Sequence, residues 1–307
     1  MLIFWIGYHQ VLTPEIGDAL HEAAKKIGLG HKVFSRPLAP GRNTIERAVN
    51  EILSQIGDGS KYVEYWTRQQ WRSIEAHADV DEFLAKHQDA AGNTNSSDFR
   101  YPTYGHVLYL KIGSEVRAPT CVFRGRRSGK DLLSSDLDGI MKSDVELVTV
   151  PAVNGRLLRF SGDALHSVPR PADLWLLKFV QGAAKYDPEE DWGRSVILFN
   201  TWGSPPMDVP INSENDDEEL TRGAAGSCNE KSEWVDTYGL DQNLNNETCY
   251  DQSQTDSRLA AKIWLLGNLR RRGHHMRTLK LSAPSNLKEA LHEDTKVTRL
   301  FLSQVDL

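Results

Sequence analysis

The sequence is short of several things. Its 307 residues hold only Cys121, Cys228 and Cys249. So sparse and odd a set gives neither a disulfide framework nor zinc-ligand spacing, and it suits a reducing compartment. No apolar run nears the ~20 residues of a membrane-spanning helix. The apolar start, Met1 to Gly7, has no basic stretch before it and reads as a first buried strand, not a secretory core. No glycine-rich turn joins a strand to a helix, so dinucleotide and P-loop phosphate sites have no support. Positive charge is not in excess: Lys+Arg is 36 against Asp+Glu 42, a net of −6. That balance argues against a polynucleotide partner. The Asn-x-Ser/Thr matches at Asn95 and Asn246 are then chance. The expectation is a cytoplasmic protein with neither membrane nor nucleic acid as partner.

What is present is a globular composition, 39% apolar and 25% charged. Pro14 can open a helix whose apolar face is Ile16, Ala19, Leu20, Ala23, Ala24 and Ile27, with Gly28 and Gly30 beyond it. A second helix starts at Thr44, carries Ile45, Val49, Ile52, Leu53 and Ile56, and stops at Gly57. Both are expected to lay one stripe on a sheet. From Tyr62 to Trp202 the texture becomes β-like. Candidate strands are 62–67, 73–79, 104–112, 120–124, 145–150, 156–161, 164–168, 174–180 and 194–202. Asn154-Gly155 reads as a hairpin turn and Gly162-Asp163 as another turn. So many short strands suggest an antiparallel sandwich or barrel, mainly β with flanking helices.

The chain divides by composition. Residues 1–211 form the β core with its bracing helices. Residues 212–256 hold 12 acidic and 2 basic residues and read as a polar insertion. The negative net charge therefore belongs to the insertion, and the rest of the chain is mildly basic. Residues 257–307 are expected to be a helical extension packing on the core. Ser257 would be its N-cap, Leu259, Ile263, Leu266 and Leu269 its apolar face, and Arg270–Arg272 would complement the helix dipole. A short helix from Ser285 and a strand over 297–302 would follow.

A two-histidine, one-carboxylate iron site leaves positions open for substrate and oxygen. On a strand, residues i and i+2 share a face, so His-x-Asp presents an imidazole and a carboxylate together. Three such triplets occur, at His77/Asp79, His87/Asp89 and His292/Asp294. The second lies past a helical pattern and the third in a charged stretch with no histidine after it. Only the first ends a strand-like run with the β region ahead. Downstream come a strand–turn–strand segment bearing His166 and a strand that begins at Arg194, a residue suited to a bidentate grip on a carboxylate.

With these motifs, Tyr62 to Trp202 resembles the iron(II)/2-oxoglutarate-dependent oxygenase superfamily. The carriers are His77-x-Asp79, the run Gly155-x4-Phe160-x-Gly162-x3-His166, and the Arg194 strand. The resemblance implies a double-stranded β-helix, the jelly-roll or cupin-like fold. It implies Fe(II) held by His77, Asp79 and His166, with 2-oxoglutarate bound by Arg194 and Thr120. It also implies an O₂-dependent oxidation of an unactivated C–H bond, by hydroxylation, desaturation or ring closure, coupled to conversion of 2-oxoglutarate to succinate.

The chain departs from the family in two places. The interval from His166 to Arg194 is long, with Arg170 inside it as a rival anchor. Val196 stands where many members carry Ser or Thr, so Tyr65, Tyr109 and Asn200 are options for a second cosubstrate contact. Residues 117–130 hold Arg117, Arg124, Arg126, Arg127 and Lys130 and no acid. Arg124, Arg126 and Arg127 are therefore candidates for recognising a small anionic or amino-acid-derived substrate of specialised metabolism. The alternatives are a prolyl, lysyl or asparaginyl hydroxylase acting on protein, and a cupin-type metal-binding protein.

Overall fold

The computed structural model describes residues 5–8, 10–27, 30–37, 42–70, 74–91, 99–113, 119–124, 145–168, 193–211, 248–249, 259–266, 276–283, 290 and 294–304. In chain order the elements are β1 (Trp5–Tyr8), α1 (Pro14–Lys26), β2 (Lys32–Ser35), α2 (Thr44–Gln55), β3 (Tyr62–Gln70), β4 (Ile74–His77) and α3 (Glu82–Ala90). Then come β5 (Tyr104–Ile112), β6 (Thr120–Arg124), β7 (Val145–Val150), β8 (Leu157–Ser161), β9 (Leu165–Val168) and β10 (Gly193–Trp202). The last are β11 (Thr248–Cys249), β12 (Leu259–Leu266), β13 (Met276–Ala283) and β14 (Thr298–Gln304).

The strands β3 to β10 pass back and forth between two sheets. One contains the order β8-β5-β10-β3, the other the order β4-β9-β6-β7. All pairs in these two sets are antiparallel. Only β6 and β7 are consecutive and paired; every other step crosses sheets. That is the strand order of a jelly roll, the fold the resemblance implied. β1 and β2 extend the first sheet at its two ends.

Local chemistry explains the helices. Thr13 caps α1, its hydroxyl accepting from the Ile16 amide at 3.4 Å, with Pro14 in the first turn. Asn43 caps α2, accepting from the Glu46 amide at 2.9 Å. The apolar stripes of both helices, with Leu20, Ile45, Ile52 and Leu53 fully buried, pack on the outer face of the first sheet against Val63, Leu108, Leu157, Ile197 and Phe199. Each such side chain contributes about 1.5–3 kcal/mol on burial. The alternate residues Val107, Tyr109, Leu158, Phe160 and Val196 turn inward to meet Val122, Val148 and Val150 of the second sheet. The inner face is where polar side chains gather.

Two expectations need correcting. Asn154-Gly155 is a turn, with Gly155 at φ +73°, but it carries the chain from β7 to a strand of the other sheet and is not a hairpin. The expected helix from Ser257 is the strand β12. Its apolar residues fit helical spacing, but eight residues are too few to separate helix from strand by pattern, and pairing with β13 from Leu259–Ala283 to Leu266–Met276 decides it. Arg270–Arg272, expected to complement a helix dipole, lie outside the described residues. So do the candidate strand 174–180, Ser285 and all of the 212–256 insertion except β11.

The C-terminal strands join the second sheet. β14 pairs antiparallel with β7 over Thr298–Leu302, and with β13 at Leu281–Gln304. β12 meets β4 at the parallel pair Leu266–His77. The described strands β4, β9, β6, β7, β14, β13 and β12 thus form a ring.

Candidate metal and cosubstrate site

His77 and His166 are register partners on β4 and β9, so both imidazoles leave the same face of the second sheet. Their ring centroids are 4.3 Å apart. Asp79 follows β4 by two residues. His77 Nε2 lies 3.6 Å from Asp79 Oδ1 and His166 Nε2 lies 3.9 Å from Asp79 Oδ2. The ligand atoms of all three lie within 4.8 Å of one another, a spacing one ion can bridge. No other such group of three or more occurs among the described residues. Burial alone would raise the Asp79 carboxyl. The His166 and His77 imidazoles and the Asn200 amide outweigh it and hold the group below the usual carboxylate range.

The motif residues around His166 act through packing. The Phe160 ring lies 4.7 Å from the His166 ring. A Cβ on Gly162 would fall 1.9 Å from the Pro102 carbonyl oxygen, so only glycine lets the turn into β9 sit there. The Ala164 carbonyl lies 3.2 Å from His166 Nδ1, which directs Nε2 toward Asp79.

Thr120 and His166 lie on one face of the second sheet. Val122 of β6 is the register partner of His166, and Thr120 is two residues from it on the same face. Such diagonal neighbours lie about 7–8 Å apart. Arg194 enters from the opposite sheet and donates from Nη2 to Thr120 Oγ1 at 3.2 Å. The Tyr109 hydroxyl lies 2.6 Å from the same oxygen, and the guanidinium stands 5.3 Å from the Tyr109 ring. Arg194 is 3% exposed, its Nε has no hydrogen-bond partner, and no carboxylate among the described residues pairs with it. Burial pulls its pKa below the ordinary value, yet an arginine stays charged.

Of the other options, Tyr109 reaches this pocket. Tyr65 does not: it points to the helix side, donating to Glu46 Oε1 at 3.2 Å and accepting from Asn43 at 3.0 Å. Asn200 is in the pocket but at its other end, donating from Nδ2 to Asp79 Oδ2 at 3.2 Å. Of the substrate candidates, Arg124 ends β6 in register with Glu146. Arg126 and Arg127 lie outside the described residues, as do Arg170, Arg117 and Lys130.

A cleft of about 270 Å³ that sequence reasoning missed borders the Asn200 end. His31, Glu64, Phe83, Lys86 and Asp208 are among its walls. Glu64 is the register partner of Asn200. It accepts from Trp202 Nε1 at 3.0 Å and lies 2.6 Å from His31 Nδ1. The His31 ring is stacked flat on Trp66 at 4.3 Å. Burial pushes His31 down, but its bond to Glu64 and the surrounding carboxylates leave it above its ordinary value. The spacing of Glu64 and Trp66 on one strand was the available signal; their convergence with residue 31 was not.

The fold and site define a jelly-roll protein with a two-histidine, one-carboxylate donor set and, beside it, a buried arginine that no carboxylate among the described residues meets. No protein family and no curated protein matches the chain. Solved structures do. A prolyl-4-hydroxylase from Pseudomonas putida is 14% identical over 66% of this chain and 88% of its own, at TM-score 0.36. HygX from Streptomyces hygroscopicus with iron bound is 12% identical over 71% and 89%, at 0.37. The non-heme alpha ketoglutarate dependent epimerase SnoN from nogalamycin biosynthesis is 11% identical over 69% and 91%, at 0.35. At such identities the case for the site stands on the chain's own geometry.

Proposed function

We propose that this protein is an Fe(II)/2-oxoglutarate-dependent oxygenase acting on a small, amino-acid-derived substrate. Arg194 carries the reading. A buried guanidinium without a carboxylate is costly, and it stands beside a metal-ligand triad. A dicarboxylate from solution supplies what it lacks. A cupin-type binding protein would have no use for it.

The donor set fits the metal: two imidazole nitrogens and one carboxylate suit iron(II) and leave positions free. When bound, iron with 2-oxoglutarate and O₂ supplies the oxidising chemistry for an unactivated C–H bond. The chain's residues do the rest. His77, Asp79 and His166 hold the ion. Arg194 and Thr120 grip the distal carboxylate of 2-oxoglutarate, and the Tyr109 hydroxyl orients Thr120. Inward Val122, Val196 and Phe160 keep water from this part of the pocket.

Arg194 and Asn200 are six residues apart on β10, about 20 Å along the strand. The cosubstrate anchor and the cleft beside Glu64 therefore flank the triad from opposite ends. On the cleft wall Glu82 and Lys86 lie 3.8 Å from each other, with the Asp208 carboxylate beside them, so an amino acid would meet charges of both signs there. Arg124, Arg126 and Arg127 remain candidates for an anionic substrate group.

The test is turnover. With Fe(II), ascorbate and O₂, the purified protein should convert 2-oxoglutarate to succinate, slowly even without substrate, and His77→Ala and His166→Ala should each abolish this. A wild type that neither binds Fe(II) nor consumes 2-oxoglutarate ends the reading.

A further inference from the structure

We infer that Asn200 is a positioning residue that fixes how Asp79 meets the metal, an inference that rests on the oxygenase reading above. Asp79 lies past the end of β4, beyond the strand pairing that holds the His77 backbone. Its carboxylate has two oxygens and could meet an ion with one or with both. Meeting it with both would consume a coordination position that O₂ or the cosubstrate needs.

Asn200 removes that freedom. It is 3% exposed and sits mid-strand in β10, paired with Glu64 of β3 on one side and Gly105 of β5 on the other. Its amide therefore reaches across from the opposite sheet as a rigid donor. Each Asp79 oxygen faces one imidazole, Oδ1 at 3.6 Å from His77 Nε2 and Oδ2 at 3.9 Å from His166 Nε2; Nδ2 of Asn200 occupies Oδ2 at 3.2 Å and leaves Oδ1 for the ion. Among the described residues Asn200 is the one hydrogen-bond donor to this carboxylate. Partners of this kind, which orient a ligand without touching the metal, set affinity and open positions together.

The strand pairing around Asn200 is itself anchored. Glu64, its register partner on β3, has its carboxylate held by Trp202 Nε1 and His31 Nδ1. Asn200→Leu keeps the shape of the side chain and deletes the donor; Asn200→Ser, smaller and polar, is the companion should the leucine variant fold poorly.

The probe is Co(II), titrated into the metal-free protein and read by its visible absorption. Wild type should bind Co(II) with a spectrum set by one carboxylate oxygen. The variants should bind about 10–100-fold more weakly. Their spectra should shift toward a higher coordination number as the freed carboxylate turns both oxygens to the ion. A folded variant with unchanged affinity and an unchanged spectrum overturns the inference while leaving the oxygenase reading intact. A wild type that binds no Co(II) removes the metal site itself, and the inference with it.

Discussion

The first sheet carries a buried arginine on each face, and the two have opposite surroundings. On the helix side Arg159 donates to Asp58 Oδ2 at 2.8 Å and stacks over the Tyr104 ring at 3.8 Å. The second Asp58 oxygen takes the Ser60 amide at 2.8 Å and lies 3.8 Å from Arg36. On the inner side the partners of Arg194 among the described residues are the neutral side chains of Thr120 and Tyr109. Where the chain supplies the counter-charge, the ion pair is architecture. Where the described residues supply hydroxyls and no counter-charge, the arginine waits, under the proposed function, for an anion that comes and goes.

The contrast can be broken by mutation. Asp58→Ala strands Arg159 and should cost about 3–5 kcal/mol of stability in urea unfolding, with 2-oxoglutarate affinity unchanged in the folded protein. Arg194→Met should do the reverse. Its 2-oxoglutarate affinity should fall about 100-fold, worth about 2.7 kcal/mol, while the unfolding midpoint of the ligand-free protein holds or rises. If Arg194→Met unfolds the protein and spares binding, the two arginines are alike and the contrast is lost.

His106 sharpens the helix side through pH. It is buried next to Arg159, and burial first, then that charge, pushes its pKa down to about 3. The unfolded chain binds this proton near pH 6.5, so between pH 6.5 and 3 the unfolded state holds more protons. Stability is full above the unfolded value and falls with acid. Between pH 7.5 and pH 5 the His106 contribution should decline by about 2 kcal/mol, and His106→Gln should flatten that limb in urea titrations. The smallest effect belongs to Thr120→Val. It deletes one hydroxyl of the inner pocket and should weaken 2-oxoglutarate about 5-fold, near 1 kcal/mol, by calorimetric titration.

Much of the core was legible because it rests on local alternation. β5, β6 and β7 start and end where apolar spacing put them. The triad was legible because His-x-Asp is a two-residue statement, and because a turn and a strand mark His166. What failed was whatever depends on a partner far along the chain. Leu259–Leu266 is a strand because of β13, not because of its own residues. Asn200 and Tyr65 stood as equal options, since sequence does not say which of two buried polar side chains faces a carboxylate 121 positions away and which faces a helix.

The ring formed by the C-terminal strands has a consequence in time. A ribosome makes β4, β9, β6 and β7, with every proposed metal ligand, long before it makes Thr298–Gln304. Until then β7 lacks its antiparallel partner over Val145–Thr149, and β4 gains its neighbour at His77 only once β12 has been made. Open edges recruit other chains. β14 therefore acts as a seal on that edge, set in place after the rest of the ring has been made. A chain in which β14 has not yet docked holds every proposed metal ligand and is still the form most exposed to aggregation.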